Sequence, residues 1–356
     1  MSSWLQVAQE SKFGVPIGPI TISSIGQADD VALISNDIYA LQGLLDLSLS
    51  YCKKYHVTLC ADKTKLQAFS SKTSELEAFY SKVVSPITMD SKLLDFVSEV
   101  EHVGTTRSVN GNLPHILARF TAHRKAMFAI LPLGLARGHR ANPAATLNAH
   151  QVYGTPVLMS GMASLGLKNS ETSLVDTNIK QTIQHLQKLQ DKTPSPVIYF
   201  LGGHLPGEAL VHMRELTIFR MVCHLKDSVI HQMAVYILST SKLSSTSWFF
   251  HIRDLTLKYI LQPPLALLQN PPSKIIFKSM IKSNDTDYWE IKLREEAAPL
   301  TSLKYFRPQF MSLRKPHPLW LTCGSNPFEV NKAVTQARML SGRYHTDQLM
   351  RHWTQN

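Results

Sequence analysis

Val15-Pro16-Ile17-Gly18-Pro19-Ile20-Thr21-Ile22-Ser23-Ser24-Ile25-Gly26-Gln27-Ala28-Asp29-Asp30-Val31-Ala32-Leu33-Ile34-Ser35 is the stretch on which the fold turns. Residues 15–25 are rich in β-branched side chains and read as one extended arm. Residues 31–35 read as a second short strand, so Gln27-Ala28-Asp29-Asp30 lies at the tip of a β-hairpin. Two adjacent carboxylates repel unless a divalent cation or another positive charge compensates them. Asp pairs also serve ordinary turns. The tip therefore reads either as a turn or as part of a cation site.

Downstream, Asn36 is placed to cap a helix over residues 37–55, where Ile38, Leu41, Leu45, Leu49 and Cys52 recur at helical spacing. Residues 56–59 read as a short strand, Ala61-Asp62-Lys63-Thr64 as a polar turn, and residues 65–70 as another strand. A helix at 74–81 and a strand pair over 83–89 and 93–106 follow, with Gly104 suited to a tight bend. This order predicts an α+β fold, an antiparallel sheet with packed helices.

From residue 113 the pattern is helix after helix. Residues 113–131 carry Arg119, His123, Arg124 and Lys125 beside Ile116, Leu117, Phe120, Met127 and Phe128. A Pro/Gly-punctuated break over 132–143 holds Arg137, His139 and Arg140. Helices are predicted over 144–165, 173–190 and 207–225, with a boundary at Thr193-Pro194-Ser195-Pro196. Pro263-Pro264 and Pro271-Pro272 bracket a loop-rich connection. Three domains follow: 1–112, 113–192 and 193–356.

The 356 residues are 44% hydrophobic and 18% charged, the profile of a globular protein. Four cysteines do not make a disulfide scaffold, and Cys52, Cys60, Cys223 and Cys323 show no CxxC spacing, so neither a zinc site nor a redox pair is indicated. They read as reduced thiols of an intracellular chain, nuclear or cytoplasmic. No apolar run reaches the length of a bilayer span. Net charge is +11, from 37 Lys+Arg against 26 Asp+Glu. That excess favours a polyanionic partner, because Lys and Arg release counterions on meeting phosphates.

A strand-turn-strand with Ala-Asp-Asp, a helix, a Lys-Thr turn and a hairpin ending in Gly104 resembles part of a reverse transcriptase palm. The nearer likeness is to non-LTR (LINE-type) retrotransposon polymerases, RNA-directed DNA polymerases. Gln27-Ala28-Asp29-Asp30 resembles their metal-binding motif. Leu59-Cys60-Ala61-Asp62-Lys63-Thr64-Lys65 resembles their Lys-Thr turn, and His102-Val103-Gly104 their primer-grip hairpin. Leu340-Ser341-Gly342-Arg343-Tyr344 is similar to a segment of their connector. The resemblance implies a partial palm over 1–112, an all-α thumb over 113–192 and a helical connector over 193–356. It implies Mg2+ or Mn2+ held by Asp29 and Asp30, with Lys63 beside the incoming triphosphate. It also implies an RNA template and DNA primer gripped by Lys65, Arg119, Arg124, Lys125, Arg137 and Arg140. His345 and His352 read as surface histidines.

Two-metal nucleotidyl transfer needs carboxylates from more than one strand. Before Asp29 the sequence offers only Glu10. The expectation is a fragment that carries half of a polymerase site by ancestry and does not polymerise alone. Two alternatives stay open: a non-catalytic nucleic-acid-binding module, and a polypeptide that never folds stably.

Overall fold

A computed structural model describes residues 2–11, 13–27, 30–69, 87–130, 141–240 and 247–342. In chain order these form α1 (Ser2–Glu10), β1 (Val15–Ile17), β2 (Ile20–Ile22), β3 (Ser24–Gln27), β4 (Asp30–Leu33), α2 (Ile38–Lys54), β5 (Thr88–Met89), β6 (Lys92–Leu93), β7 (Glu99–His102) and β8 (Thr105–Ser108). Helices then dominate: α3 (Leu113–Ile130), α4 (Pro143–Ala149), a π turn (His150–Gly154), α5 (Thr155–Leu158), α6 (Asn169–Leu186), α7 (Ser195–Gly202) and α8 (Gly207–His224). They continue as α9 (Val229–Thr240), α10 (Trp248–Lys258), α11 (Pro264–Gln269), α12 (Lys274–Ala297), α13 (Pro318–Thr322) and α14 (Pro327–Leu340). By their contacts these residues make two compact units. One comprises Met1–His115 with Lys226–Lys242, the other Ile116–Leu225 with Leu243–Asn356.

In the first unit the α+β character holds, but the strands differ from the single antiparallel sheet expected. Among the described residues they form four separate two-stranded antiparallel ribbons. The arm over 15–25 is not one strand. Gly18 takes a left-handed φ of 59° and Pro19 follows it, so β1 folds back on β2 with Ile17 opposite Ile20. A Cβ on Gly18 would overlap the Tyr236 ring, and one on Gly14 would overlap the Ile22 carbonyl. These two glycines serve close packing. β3 then pairs β4, from Ser24 opposite Leu33 to Gln27 opposite Asp30.

The α2 helix begins one residue later than Asn36 suggested. Asp37 is the N-cap, and its carboxylate accepts a 2.8 Å hydrogen bond from the Ala40 amide. Residues 56–59 are irregular rather than a strand, and the expected strand over 65–70 is reduced to one bridge between Leu66 and Phe96. The buried core here is Leu45, Leu66, Ile87, Met89 and Leu94, packed by Leu33, Ile38, Leu41, Leu49, Leu59, Ala61 and Phe96. One apolar cluster thus anchors β4, α2, the Ala61 turn and the β5–β6 ribbon. The expected helix over 74–81 lies outside the described residues.

In the second unit α8 is central. It packs against α6, α10, α11 and α12. Ala209, Val211, Leu216, Phe219, Val222 and Cys223 are buried along it, covering more than one face, as a helix enclosed on several sides requires. α7 is buried from Pro196 to Gly202 and ends at Gly203, whose φ of 61° is the left-handed C-terminal conformation glycine favours. The helix predicted over 144–165 is three pieces, α4, the π turn and α5, followed by a short 3-10 turn at Met162–Ser164. Between the proline pairs, Pro264 starts α11, a helix where a loop was expected. No helix among the described residues is long and apolar enough to cross a membrane.

Candidate functional site

The β3–β4 ladder closes at the Gln27–Asp30 pair and leaves Asp30 exposed. Ala28 and Asp29 lie outside the described residues. Behind the ladder, the Ile34 amide donates to the Ser23 carbonyl at 2.8 Å and the Ser35 hydroxyl to the Phe13 carbonyl at 2.9 Å. Lys63 is exposed in a turn closed by amides of Lys63 and Thr64 on the Cys60 carbonyl. Lys65 pairs with Asp95 at 2.9 Å, and Lys92 pairs with Asp62. The acidic partners are well solvated, so water screens both pairs and they add little to stability.

The β7–β8 ribbon turns through Val103 and Gly104, with φ values of 52° and 68°. Positive φ at both central residues matches the twist of a two-residue hairpin, but a β-branched side chain is strained there. Val103 is 41% exposed and nothing lies within 4 Å of where a Gly104 Cβ would sit. The tip is open. His102 at the end of β7 has a buried Nε2 with no hydrogen-bond partner.

On α3, Arg124 and Lys125 are exposed and Arg119 is half-buried, its Nε without an acceptor. Arg124 joins Leu117, Phe120, His123, Met127 and Phe128 on one wall of a groove of about 600 Å³, with α6 forming the other. Arg137 and Arg140 lie outside the described residues, as do Arg343, Tyr344, His345 and His352. Of the nucleic-acid residues expected from sequence, Arg119, Arg124 and Lys125 thus share one helix, while Lys65 belongs to the other unit.

Two polar clusters in the second unit were not anticipated from sequence. The first joins α8 to α10. Glu215 is fully buried, its Oε2 accepts from His251 Nε2 at 3.0 Å, and its Oε1 has no donor. His212, one turn earlier on α8, approaches the same point, and one ligand atom from each of His212, Glu215 and His251 lies within 4.8 Å of the others. His212 Nδ1 is 2.8 Å from the Tyr259 hydroxyl, which also accepts from Trp289 Nε1 at 3.1 Å. Burial, helped by the nearby charge of Lys258, lowers His212 to about 3. Burial raises Glu215, opposed by its hydrogen bond to His251. For His251 burial acts downward, but the hydrogen bond and charge of Glu215 prevail and raise it. Asp285 on α12 is also fully buried, and burial, opposed by the Tyr259 hydroxyl, raises it to about 7.

The second cluster is a row of imidazoles, with ring centroids 5.2 Å apart for His123–His150 and 5.4 Å for His150–His204. His150 opens the π turn and neither of its ring nitrogens has a partner; Nε2 of His123 and of His204 likewise has none. Burial lowers all three below the ordinary histidine range, His204 to about 4. A Cβ on Gly154 would overlap Met127 Sδ and crowd His150 and His123, so glycine leaves these groups their space.

Compared with protein-family models, curated proteins and solved structures, the chain matches none of them. What the residues offer is hard carboxylate oxygen at the β3–β4 tip, fixed positive charge on α3, and neutral imidazole with carboxylate inside the second unit. The sequence signal for the last was Glu215 three residues after His212, which puts both on one face of a helix.

Proposed function

We infer that this chain is part of an RNA-directed DNA polymerase of the non-LTR retrotransposon type. Its first unit contributes the carboxylate hairpin of the polymerase site, and α3 contributes phosphate contacts from Arg124 and Lys125. The observation that carries the reading is the shared core of the first unit. Leu33 beside the Asp30 hairpin, the α2 helix, Ala61 of the Lys63 turn and Phe96 before the β7–β8 ribbon pack on one apolar cluster. The Asp30 hairpin, the turn that carries Lys63 and the segment leading into the β7–β8 ribbon therefore share one core.

Asp30 fits a hard divalent cation: its carboxylate is exposed at the ladder's closing pair, and oxygen ligands suit Mg2+ or Mn2+. Bound there, the ions neutralise charge on attacking and leaving oxygens. Asp30 and its neighbour Asp29 would hold them, Lys63 would face triphosphate charge, and the open Val103-Gly104 tip would meet the primer strand. Glu10, the other carboxylate in this part of the sequence, lies on α1, hydrogen-bonded by Gln6 at 3.1 Å.

Assayed alone with Mg2+ or Mn2+, the 356-residue polypeptide is expected to bind an RNA–DNA primer–template without extending it. Templated extension abolished by Asp29→Ala would overturn the expected inactivity. Failure to bind at low salt would overturn the whole reading. The non-catalytic binding module is favoured by an observation of its own, the exposure of Arg124 and Lys125 beside an open groove. It predicts binding that is indifferent to Asp29→Ala and Asp30→Ala even when upstream polymerase segments are supplied in trans; the polymerase reading predicts that those segments restore extension.

A further inference from the structure

We propose that His212, Glu215 and His251 form a binding site for a divalent transition ion of the Zn2+ class, with His212 bound through Nε2. The three donors come from two packed helices, His212 and Glu215 on α8 and His251 on α10. Two imidazoles and one carboxylate are the donor set of a three-ligand zinc centre, and they leave a fourth position open. Zn–N and Zn–O bonds of about 2.0–2.2 Å put tetrahedral ligands roughly 3.3–3.5 Å apart. The His251–Glu215 pair is already at 3.0 Å, and one ring nitrogen of His212 lies within 4.8 Å of both, close to the spacing a shared ion requires.

Three features mark this as more than a buried ion pair. Glu215 is fully buried with Oε1 lacking any donor, so its carboxylate is desolvated and short of a compensating partner. His212 has its Nδ1 engaged by the Tyr259 hydroxyl, which is the outer hydrogen bond that fixes a metal-binding imidazole and leaves Nε2 to the ion. The His251 side chain is 28% exposed, against 7% for His212 and 0% for Glu215, so an ion has a way in. Lys258, whose charge bears on both His212 and His251, is held 2.6 Å from Glu208, which offsets that charge.

The experiment uses the full chain, stripped with a chelator and titrated with Zn2+ and with Co2+ as the spectroscopic probe. One ion per chain is expected at this site, with the strong visible bands of four-coordinate Co2+. His251→Ala and Glu215→Gln should each weaken affinity at least about 100-fold and abolish those bands. Tyr259→Phe, which keeps both rings but removes the outer hydrogen bond, should weaken it about 10-fold. The Co2+ bands are read without nucleic acid and report imidazole and carboxylate ligands, so failure of the polymerase reading and failure of this one are separable. Binding that survives both His251→Ala and Glu215→Gln overturns the proposal. So does wild-type protein that gives only the weak bands of six-coordinate Co2+ or binds neither ion at micromolar concentrations. Because the wild-type spectrum is decisive, a variant that fails to fold does not shelter the site.

Discussion

Val103 shows at one residue how a local rule is broken for the sake of a turn. The Val103-Gly104 pair needs positive φ twice, and only the second position has a residue suited to it. A β-branched residue held left-handed costs about 1–2 kcal/mol. Val103→Asn is therefore expected to stabilise the protein by about 1 kcal/mol, read as a higher urea midpoint with unchanged m-value. A lower midpoint would mean that the partly exposed Val103 side chain packs in a way its φ does not reveal. Strain at an exposed hairpin tip is what a primer-contacting position would tolerate. The same substitution should then weaken primer–template binding while raising stability.

At the scale of elements, caps and buried anchors decide which pieces of chain become helices. Asn36 and Asp37 are both capping residues, and only the backbone tells which one adopts the extended conformation. Asp37→Ala should cost about 1 kcal/mol, whereas Asn36→Ala should cost little, measured by chemical denaturation. In the second unit Trp320 on α13 is fully buried, and its Nε1 donates at 3.1 Å to Gln187 Oε1. Gln187 in turn donates to the Ile198 carbonyl at 2.9 Å, tying the end of α6 to α7 and α13. Trp320→Ala removes the largest fully buried side chain and orphans that amide, so a loss of about 3–5 kcal/mol is expected. The proline-marked stretches at 194–196 and 263–264 illustrate the converse. Prolines that read as breaks in the sequence are instead the first turns of α7 and α11, where the missing amide hydrogen is harmless.

For the whole molecule, the net charge of +11 and the buried histidines make opposite demands on solution conditions. Binding to nucleic acid should weaken steeply with salt, and reversing both Arg124 and Lys125 to Glu should lower the log–log salt slope by about 2. A slope that does not change would remove α3 from the interface. Stability should fall in acid. His204 is lowered to about 4 from an ordinary 6.5, so the unfolded chain binds more protons than the fold across that interval. The contribution is complete above about pH 6.5 and lost as pH falls through 4, on the order of 3 kcal/mol. Asp285, raised to about 7 by burial, acts in the opposite sense, favouring the fold in acid and losing that contribution as pH rises through 7. The pH slope of His204→Gln, compared with wild type in urea titrations between pH 7 and 4.5, isolates the histidine part. Equal slopes would show that His204 is solvated.

Periodicity and turn chemistry, which are local, were enough to read the helix α2, the hairpin ending at Asp30, the bend at Gly104 and the run of helices from residue 113. The positive charge of α3 was legible for the same reason, since exposed side chains report themselves in composition. The rest depended on what meets what. The arm over 15–25 folds back at Gly18, where a side chain would overlap the ring of Tyr236, far away in sequence. Residues 65–70 are not a full strand because Leu66 finds a single bridge to Phe96. His212, Glu215 and His251 look like scattered polar residues until α8 and α10 pack and exclude water around them. Sequence by itself determined α2, the run of helices after residue 113 and the charge of this protein. Tertiary structure alone decided which polar groups were buried together, because desolvation acts on neighbours in space rather than along the chain.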